Sequence, residues 1–118
     1  MKYRHYAPKA PVTVVSGAPE RSADYIRTHL SSGEGVICFE EFTPLFTGVS
    51  VQSLGLSTDK DEQARRVFDA LRAFDGTQVA AIWAQCPDTA GLGLAVANRL
   101  KKAAGFHVID AGGEEARP

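Results

Sequence analysis

Short runs of β-branched and apolar residues recur along this chain with amphipathic segments between them, and that alternation limits its architecture more than any other feature. Residues 12–15 (Val-Thr-Val-Val) read as a first strand, closed by Ser16-Gly17. Pro19 suits the first turn of a helix, Ala23, Ile26 and Leu30 recur at helical spacing, and Ser31-Ser32-Gly33 stops it. Residues 35–39 are a second apolar run. Residues 40–48 hold Pro44 and Gly48 and read as a loop, and 49–54 as a third strand. The clearest helix follows: Asp59 and Glu62 have the spacing of a capping box, and Ala64, Val67, Phe68, Leu71 and Phe74 form its apolar stripe. Residues 79–84 are apolar throughout, as in a strand covered on both faces. Asp88 or Thr89 can cap a third helix with a stripe of Leu92, Val96, Leu100 and Ala103, ended by Gly105, before a last strand at 107–109. The order β-α-β-β-α-β-α-β predicts an α/β protein: a three-layer sandwich around a mainly parallel, five-stranded sheet.

With 118 residues, there is room for one such domain, and a 44% hydrophobic share supplies a core without metals or disulfides. The domain is expected over 12–112, preceded by a linker at 1–11 and followed by a polar tail at 113–118. Cys38 and Cys86 stand too far apart for a disulfide framework or a metal-ligand pair, and a reduced, cytoplasmic setting is the default. No apolar run reaches the roughly 18 residues of a membrane span, so no membrane partner is expected. The net charge of −1 gives the whole chain no electrostatic reason to bind nucleic acid. The charge is uneven, though: Lys2, Arg4 and Lys9 precede the first acid, Glu20. A basic arm is joined to a mildly acidic body.

Few residues carry candidate chemistry. Gly91 and Gly93 sit in a turn that follows a strand and opens a helix, where nucleotide folds place their phosphate loop. They are candidate nucleotide-binding residues, but Val96 takes the third glycine's place, no Walker-type lysine is present, and close helix–sheet packing explains the glycines equally simply. His5, His29 and His107 do not cluster, and no metal site is expected. Cys86 lies at a strand's carboxyl end, yet nothing local marks a reactive thiol; both cysteines read as small buried hydrophobes. Glu40-Glu41 and Glu114-Glu115 read as solvated acids, and Trp83 as core. No catalytic residue is assigned. The arm is different: Lys2, Tyr3, Arg4, His5 and Tyr6 set cations among planar rings, a combination able to hold phosphate and stack on a base.

The segment Met1-Lys2-Tyr3-Arg4-His5-Tyr6-Ala7-Pro8 resembles the interdomain linker of long-form threonylcarbamoyl-AMP synthases, and residues 91–104, GLGLAVANRLKKAA, resemble a second signature of that family's C-terminal domain. The resemblance implies a Rossmann-like fold and an accessory, regulatory domain. The full enzyme would condense threonine, bicarbonate and ATP, with Mg²⁺, into threonylcarbamoyl-AMP and pyrophosphate, for modification of adenosine 37 in tRNA. Catalysis would belong to a YrdC-like domain, in the same or a separate chain, and to no residue here. Lys2, Tyr3, Arg4, His5 and Tyr6 would form a lid over that domain's ATP or threonylcarbamoyl-AMP. Other proteins of the tRNA pathway are expected as further partners, and this chain itself would hold no cofactor. The Ser-Pro-Gly that usually precedes the motif is missing here, so the chain is expected to be either an excised piece or a separately encoded domain. Against this stand two other readings: a self-sufficient nucleotide-binding module using Gly91 and Gly93, and a small enzyme centred on Cys86.

Overall fold

The computed structural model describes residues 9–87, 92–105 and 107–111, with Leu92 described by its backbone only. Lys2, Tyr3, Arg4, His5, Tyr6, Gly91, the cap candidates Asp88 and Thr89, and the tail therefore lie outside the described residues. Five strands form one sheet: β1 (Val12–Ser16), β2 (Gly35–Cys38), β3 (Ser50–Ser53), β4 (Ile82–Gln85) and β5 (Val108–Asp110). Their order is β3-β2-β4-β1-β5, and every pairing is parallel. Three α-helices make three of the four crossovers, α1 (Pro19–His29), α2 (Lys60–Ala73) and α3 (Leu92–Ala103), and the β2–β3 connection has none.

The direction of each crossover explains the layers. From β1 the chain moves through α1 to β2, toward one edge of the sheet; from β3 through α2, and from β4 through α3, it moves toward the other. Crossovers of one hand that travel in opposite directions lay their helices on opposite faces. Accordingly α2 and α3 pack on each other over one face, where Val12, Val14, Ile37, Phe39, Ile82 and Ala84 meet Val67, Leu71 and Leu100. The other face carries α1, where Val15, Val36 and Cys38 meet Ile26 and Phe46. Alternate residues of β1, β2 and β4 thus point to different cores, as the pleat requires.

Several local expectations shift. Residues 40–48 are not a plain loop: Glu40–Leu45 is a 3-10 helix that contains Pro44. Glu40 and Glu41 are not merely solvated. The Ser53 hydroxyl donates to Glu40 Oε1 at 2.6 Å, and the Ser57 amide and hydroxyl both donate to Glu41, clamping the turn to β3 and to the loop after it. Burial is the largest single influence on Glu41 and opposes its charged form, but the hydrogen bonds from the Ser57 hydroxyl and from the Glu41 and Ser57 amides together outweigh it and hold its carboxyl below the usual range. β4 starts at Ile82, not at Val79, because the ladder begins where Ile82 N–H meets Pro11 O at 2.9 Å; Ala80 N–H goes instead to Gly33 O. Only half of the capping box forms. Asp59 accepts from Glu62 N–H at 3.1 Å, while the Glu62 carboxylate turns to Arg65 and Arg66, which hold it below the usual carboxylate range. The α2 stripe is also rotated: Gln63 and Ala70 are buried, whereas Phe68 is half-exposed under the Arg99 guanidinium, 4.0 Å from its ring centre. Trp83 is half-buried on the α1 face, and its Nε1 donates to Glu34 Oε1 at 2.8 Å.

One close approach fixes the identity of a residue. A Cβ built on Gly35 would stand 2.5 Å from Cε1 of Phe74, a buried ring at the end of α2. Gly35→Ala should therefore lower stability by about 1–3 kcal/mol, the usual range for overpacking a filled core. Urea denaturation of the two forms checks this, and Gly35→Ala together with Phe74→Leu should recover part of the loss.

Candidate functional site

In an open parallel sheet, ligands bind beyond the carboxyl ends of the strands, where neighbouring strands send their crossovers in opposite directions. Here that place lies between β1 and β4, which are adjacent and continue toward opposite edges. A cavity of about 660 Å³ opens there. Its walls are the turn after β1 (Ser16, Gly17, Ala18, Pro19), the end of β2 (Phe39), the loop leading into α2 (Ser57, Thr58, Lys60) and the end of β4 (Cys86, Pro87). Gly17 has a φ of 120°, a conformation side chains resist, so glycine is needed for this turn.

Gln85 braces two of those walls. It is fully buried; its Oε1 accepts from the Phe39 N–H at 2.9 Å, and its Nε2 donates to Pro19 O and to Ser22 Oγ, each at 3.0 Å. Ser22, also buried, returns its own hydroxyl to Pro19 O at 3.1 Å. The start of α1, which has no side-chain cap, is thereby tied to the ends of β2 and β4. Sequence pattern missed Gln85 because the apolar run was read as ending at residue 84; a polar residue closing such a run was the available signal.

A second buried glutamine stands on the opposite face. Gln63 Nε2 donates to Leu56 O at 2.8 Å and to Ser57 O at 3.1 Å, but its Oε1 is buried without a hydrogen-bond partner. Cys86 lines the cavity, yet burial raises its thiol above the usual range, with Lys101 opposing weakly. Burial also pushes Cys38 up to about 12, with Glu40 and Glu41 adding to the effect. Neither is an activated nucleophile, which removes the support for an enzyme centred on Cys86.

The other sequence-picked residues are not gathered here. Gly93 lies buried within α3, away from the described walls of the cavity. His29 stacks on Tyr25 with ring centres 3.9 Å apart, and His107 Nδ1 is 3.1 Å from Thr13 Oγ1, on different parts of the body. Among the described residues no three His, Cys, Asp or Glu side chains gather to hold a metal, and no helix is long and apolar enough to cross a membrane. The arm joins the body at the opposite, amino edge of the sheet. Lys9 N–H donates to Asp75 Oδ1 at 3.3 Å, Ala10 packs against the larger core, and Pro11 O accepts from Ile82.

The fold and this edge define a Rossmann-like α/β domain with a crevice at its switch point and no catalytic constellation among the described residues. Comparison with known proteins is specific. The family model of the threonylcarbamoyl-AMP synthase C-terminal domain matches residues 1–105, and the chain belongs to that family. It is 43% identical over 112 residues to a threonylcarbamoyl-AMP synthase of Bacillus subtilis and 39% identical over 120 residues to one of Pyrococcus abyssi. Each match covers 92% of this chain but only 32% of the relative, so the chain spans about a third of their length. Among solved structures, Pyrococcus abyssi Sua5 complexed with L-threonine matches at 38% identity with a TM-score of 0.72, over 93% of this chain and 32% of that one. The C-terminal Sua5 domain from Pyrococcus horikoshii matches at 31% identity with a TM-score of 0.65, over 88% of this chain and 99% of that one.

Two outcomes are expected. Gln85→Leu strands the buried Phe39 N–H and should lower stability by about 2–3 kcal/mol, read by thermal or urea unfolding. Both thiols should react slowly with iodoacetamide near pH 7 in the folded protein and rapidly in urea; fast labelling of folded Cys86 would revive a thiol mechanism.

Proposed function

We propose that this domain serves a threonylcarbamoyl-AMP synthase as its accessory and regulatory part, and that its arm acts as a lid on a separate YrdC-like catalytic domain. The observation that carries this reading is the anchoring of the arm. Residues 9–11 are fixed to the body by Asp75, by the core and by β4, and Lys2, Tyr3, Arg4, His5 and Tyr6 precede them by only a few residues on the covalent chain. A fully extended chain covers at most about 3.5 Å per residue, so these five stay within roughly 25 Å of the anchor. A rigid base with a short, cationic and aromatic extension suits a lid that closes over a nucleotide and excludes water. The family match begins at residue 1, so the arm belongs to the conserved unit of the family model.

On this reading the synthase joins threonine, bicarbonate and ATP into threonylcarbamoyl-AMP with release of pyrophosphate, for tRNA modification. The catalytic groups, and any Mg²⁺ that accompanies ATP, belong to the catalytic domain. Arg4 supplies a guanidinium able to grip phosphate or carboxylate in two places, and Tyr3 and Tyr6 supply faces for stacking. A charge-assisted hydrogen bond contributes about 1.5–3 kcal/mol, hence roughly ten- to a hundredfold in affinity.

Calorimetric titration of ATP into the catalytic domain, with and without this chain, tests the proposal. Binding should tighten by about tenfold or more when the chain is present, and Arg4→Ala should abolish most of the gain. Equal affinity with and without the chain, in a mixture shown to form a complex, would overturn it.

A further inference from the structure

The arm joins the body at the end of α2, and the helix surface that leads away from this point has a pattern of its own. Lys9 N–H donates to Asp75 Oδ1 at 3.3 Å, in the 3-10 turn that follows α2, and Ala10 packs against the core beneath α2 and α3. Counting back from Asp75, Phe68 and Asp61 recur at intervals of seven residues. Seven residues make two helical turns, so Phe68 and Asp61 lie on one line of the α2 surface, spaced by about 10 Å and pointing back from the anchor. Asp61 is exposed. Phe68 is half-buried, with the Arg99 guanidinium over one face of its ring.

The arm carries the matching series. Tyr6 stands three residues before Lys9, and Arg4 and Lys2 stand two and four before Tyr6. At about 3.5 Å per extended residue, Tyr6 reaches about 10 Å from the anchor, the distance of Phe68. Arg4 and Lys2 reach about 7 and 14 Å further, on either side of the step to Asp61. In an extended segment alternate side chains share a side, so Tyr6, Arg4 and Lys2 can face the helix together. Ring then meets ring, and cation meets acid. Any cationic, aromatic peptide offers this chemistry, but only the arm is tethered at the correct end. A short tether gives an effective concentration on the order of millimolar, so weak contacts suffice to hold it.

We propose that this line on α2 is the resting berth of the arm, with Tyr6 against Phe68 beside Arg99, and Arg4 and Lys2 paired with Asp61. The berth itself concerns this chain alone; its consequence rests on the lid reading, since an arm held on α2 must let go before it covers a catalytic site. Arg4 is then the contested group, held by a carboxylate at rest and by the nucleotide's phosphate when the lid closes. The berth sets the fraction of chains whose arm is available, and the apparent affinity of the lid for its target falls by that fraction.

Amide resonances of the full chain, compared with those of a variant lacking residues 1–6 and of Asp61→Asn and Phe68→Gln, test the berth. Removing the arm should shift Asp61, Phe68 and Arg99 and leave Tyr25 and Trp83, on the other face, unmoved. Each substitution should carry the Arg4 and Tyr6 resonances toward those of a free peptide of residues 1–8. Asp61 is exposed, so Asp61→Asn leaves the core intact even if Phe68→Gln does not. The berth is overturned if removing the arm leaves Asp61 and Phe68 unmoved, or if Asp61→Asn leaves the arm resonances where they were. Shifts that disappear on dilution would assign the berth to the arm of a second copy and overturn it as well. In the ATP titration with the catalytic domain, Asp61→Asn should tighten binding by about two- to tenfold, for an arm at rest between half and nine-tenths of the time, opposite in sign to Arg4→Ala. A freed arm with no change in that titration would support the berth and count against the lid.

Discussion

The carboxyl edge of a covered parallel sheet poses a hydrogen-bonding problem, and in this domain the amide of Gln85 solves it. Where β2 ends and α1 begins, backbone groups leave their ladders inside the body, away from water. The Phe39 N–H and the Pro19 carbonyl are two of these, and Gln85 takes both while also holding Ser22. Because β4 lies between β2 and β1, its last side chain is the one able to reach across. The positions of α1, of the turn at Gly17 and of the Phe39 floor all follow from that contact. An apolar residue there would pack, but it would leave the edge with unpaired groups and the cavity without fixed walls.

Gln85 and Gln63 form an instructive contrast. Both are buried at the same edge, on opposite faces, and each donates twice to its surroundings. Gln85 also has a donor for its oxygen, and its role is complete within the fold. Gln63 has none, although it likewise ties a loop to a helix. A folded chain tolerates such a deficit where the surrounding structure compensates for it, and deficits of that kind gather at sites that do something else. The fold thus separates its tasks by edge: the amino end holds the arm, the carboxyl end holds the crevice, and β1, about 16 Å long, lies between them.

The layers and strand order were legible in outline because they depend on period and punctuation. Val12, Val14 and Val15 mark a strand in any context, and Pro19, Gly33 and Gly105 mark helix ends by backbone chemistry alone. What failed was phase and partnership. Helical spacing put Phe68 in the α2 stripe with Val67, Leu71 and Phe74; those three are buried, yet the helix also turns Gln63 and Ala70 inward and leaves Phe68 half-exposed to Arg99. A 3.6-residue period does not say which face meets the sheet when a polar residue belongs to the inner set. The Glu40–Leu45 turn was read as a loop from Pro44 and Gly48, and its hydrogen bonds to Ser53 and Ser57, 13 and 16 residues away, leave no local signal.

The candidate site shows the same limit more sharply. The arm was legible because its chemistry is contiguous: cations and rings stand side by side within five positions. The crevice was not, because four separate segments of the chain build it and none carries a motif alone. Sequence directed attention to Gly91 and Gly93, after β4, since two glycines look like a phosphate loop. Gly91 lies outside the described residues and Gly93 is buried in α3, so the crevice follows instead from the strand order. β4 and β1 are neighbours, so the turns that leave them border one crevice, and the turn after β1 contributes through a single glycine whose φ of 120° demands it. Glycine spacing in the sequence does not single out Gly17; its backbone conformation does, and only the fold reveals it.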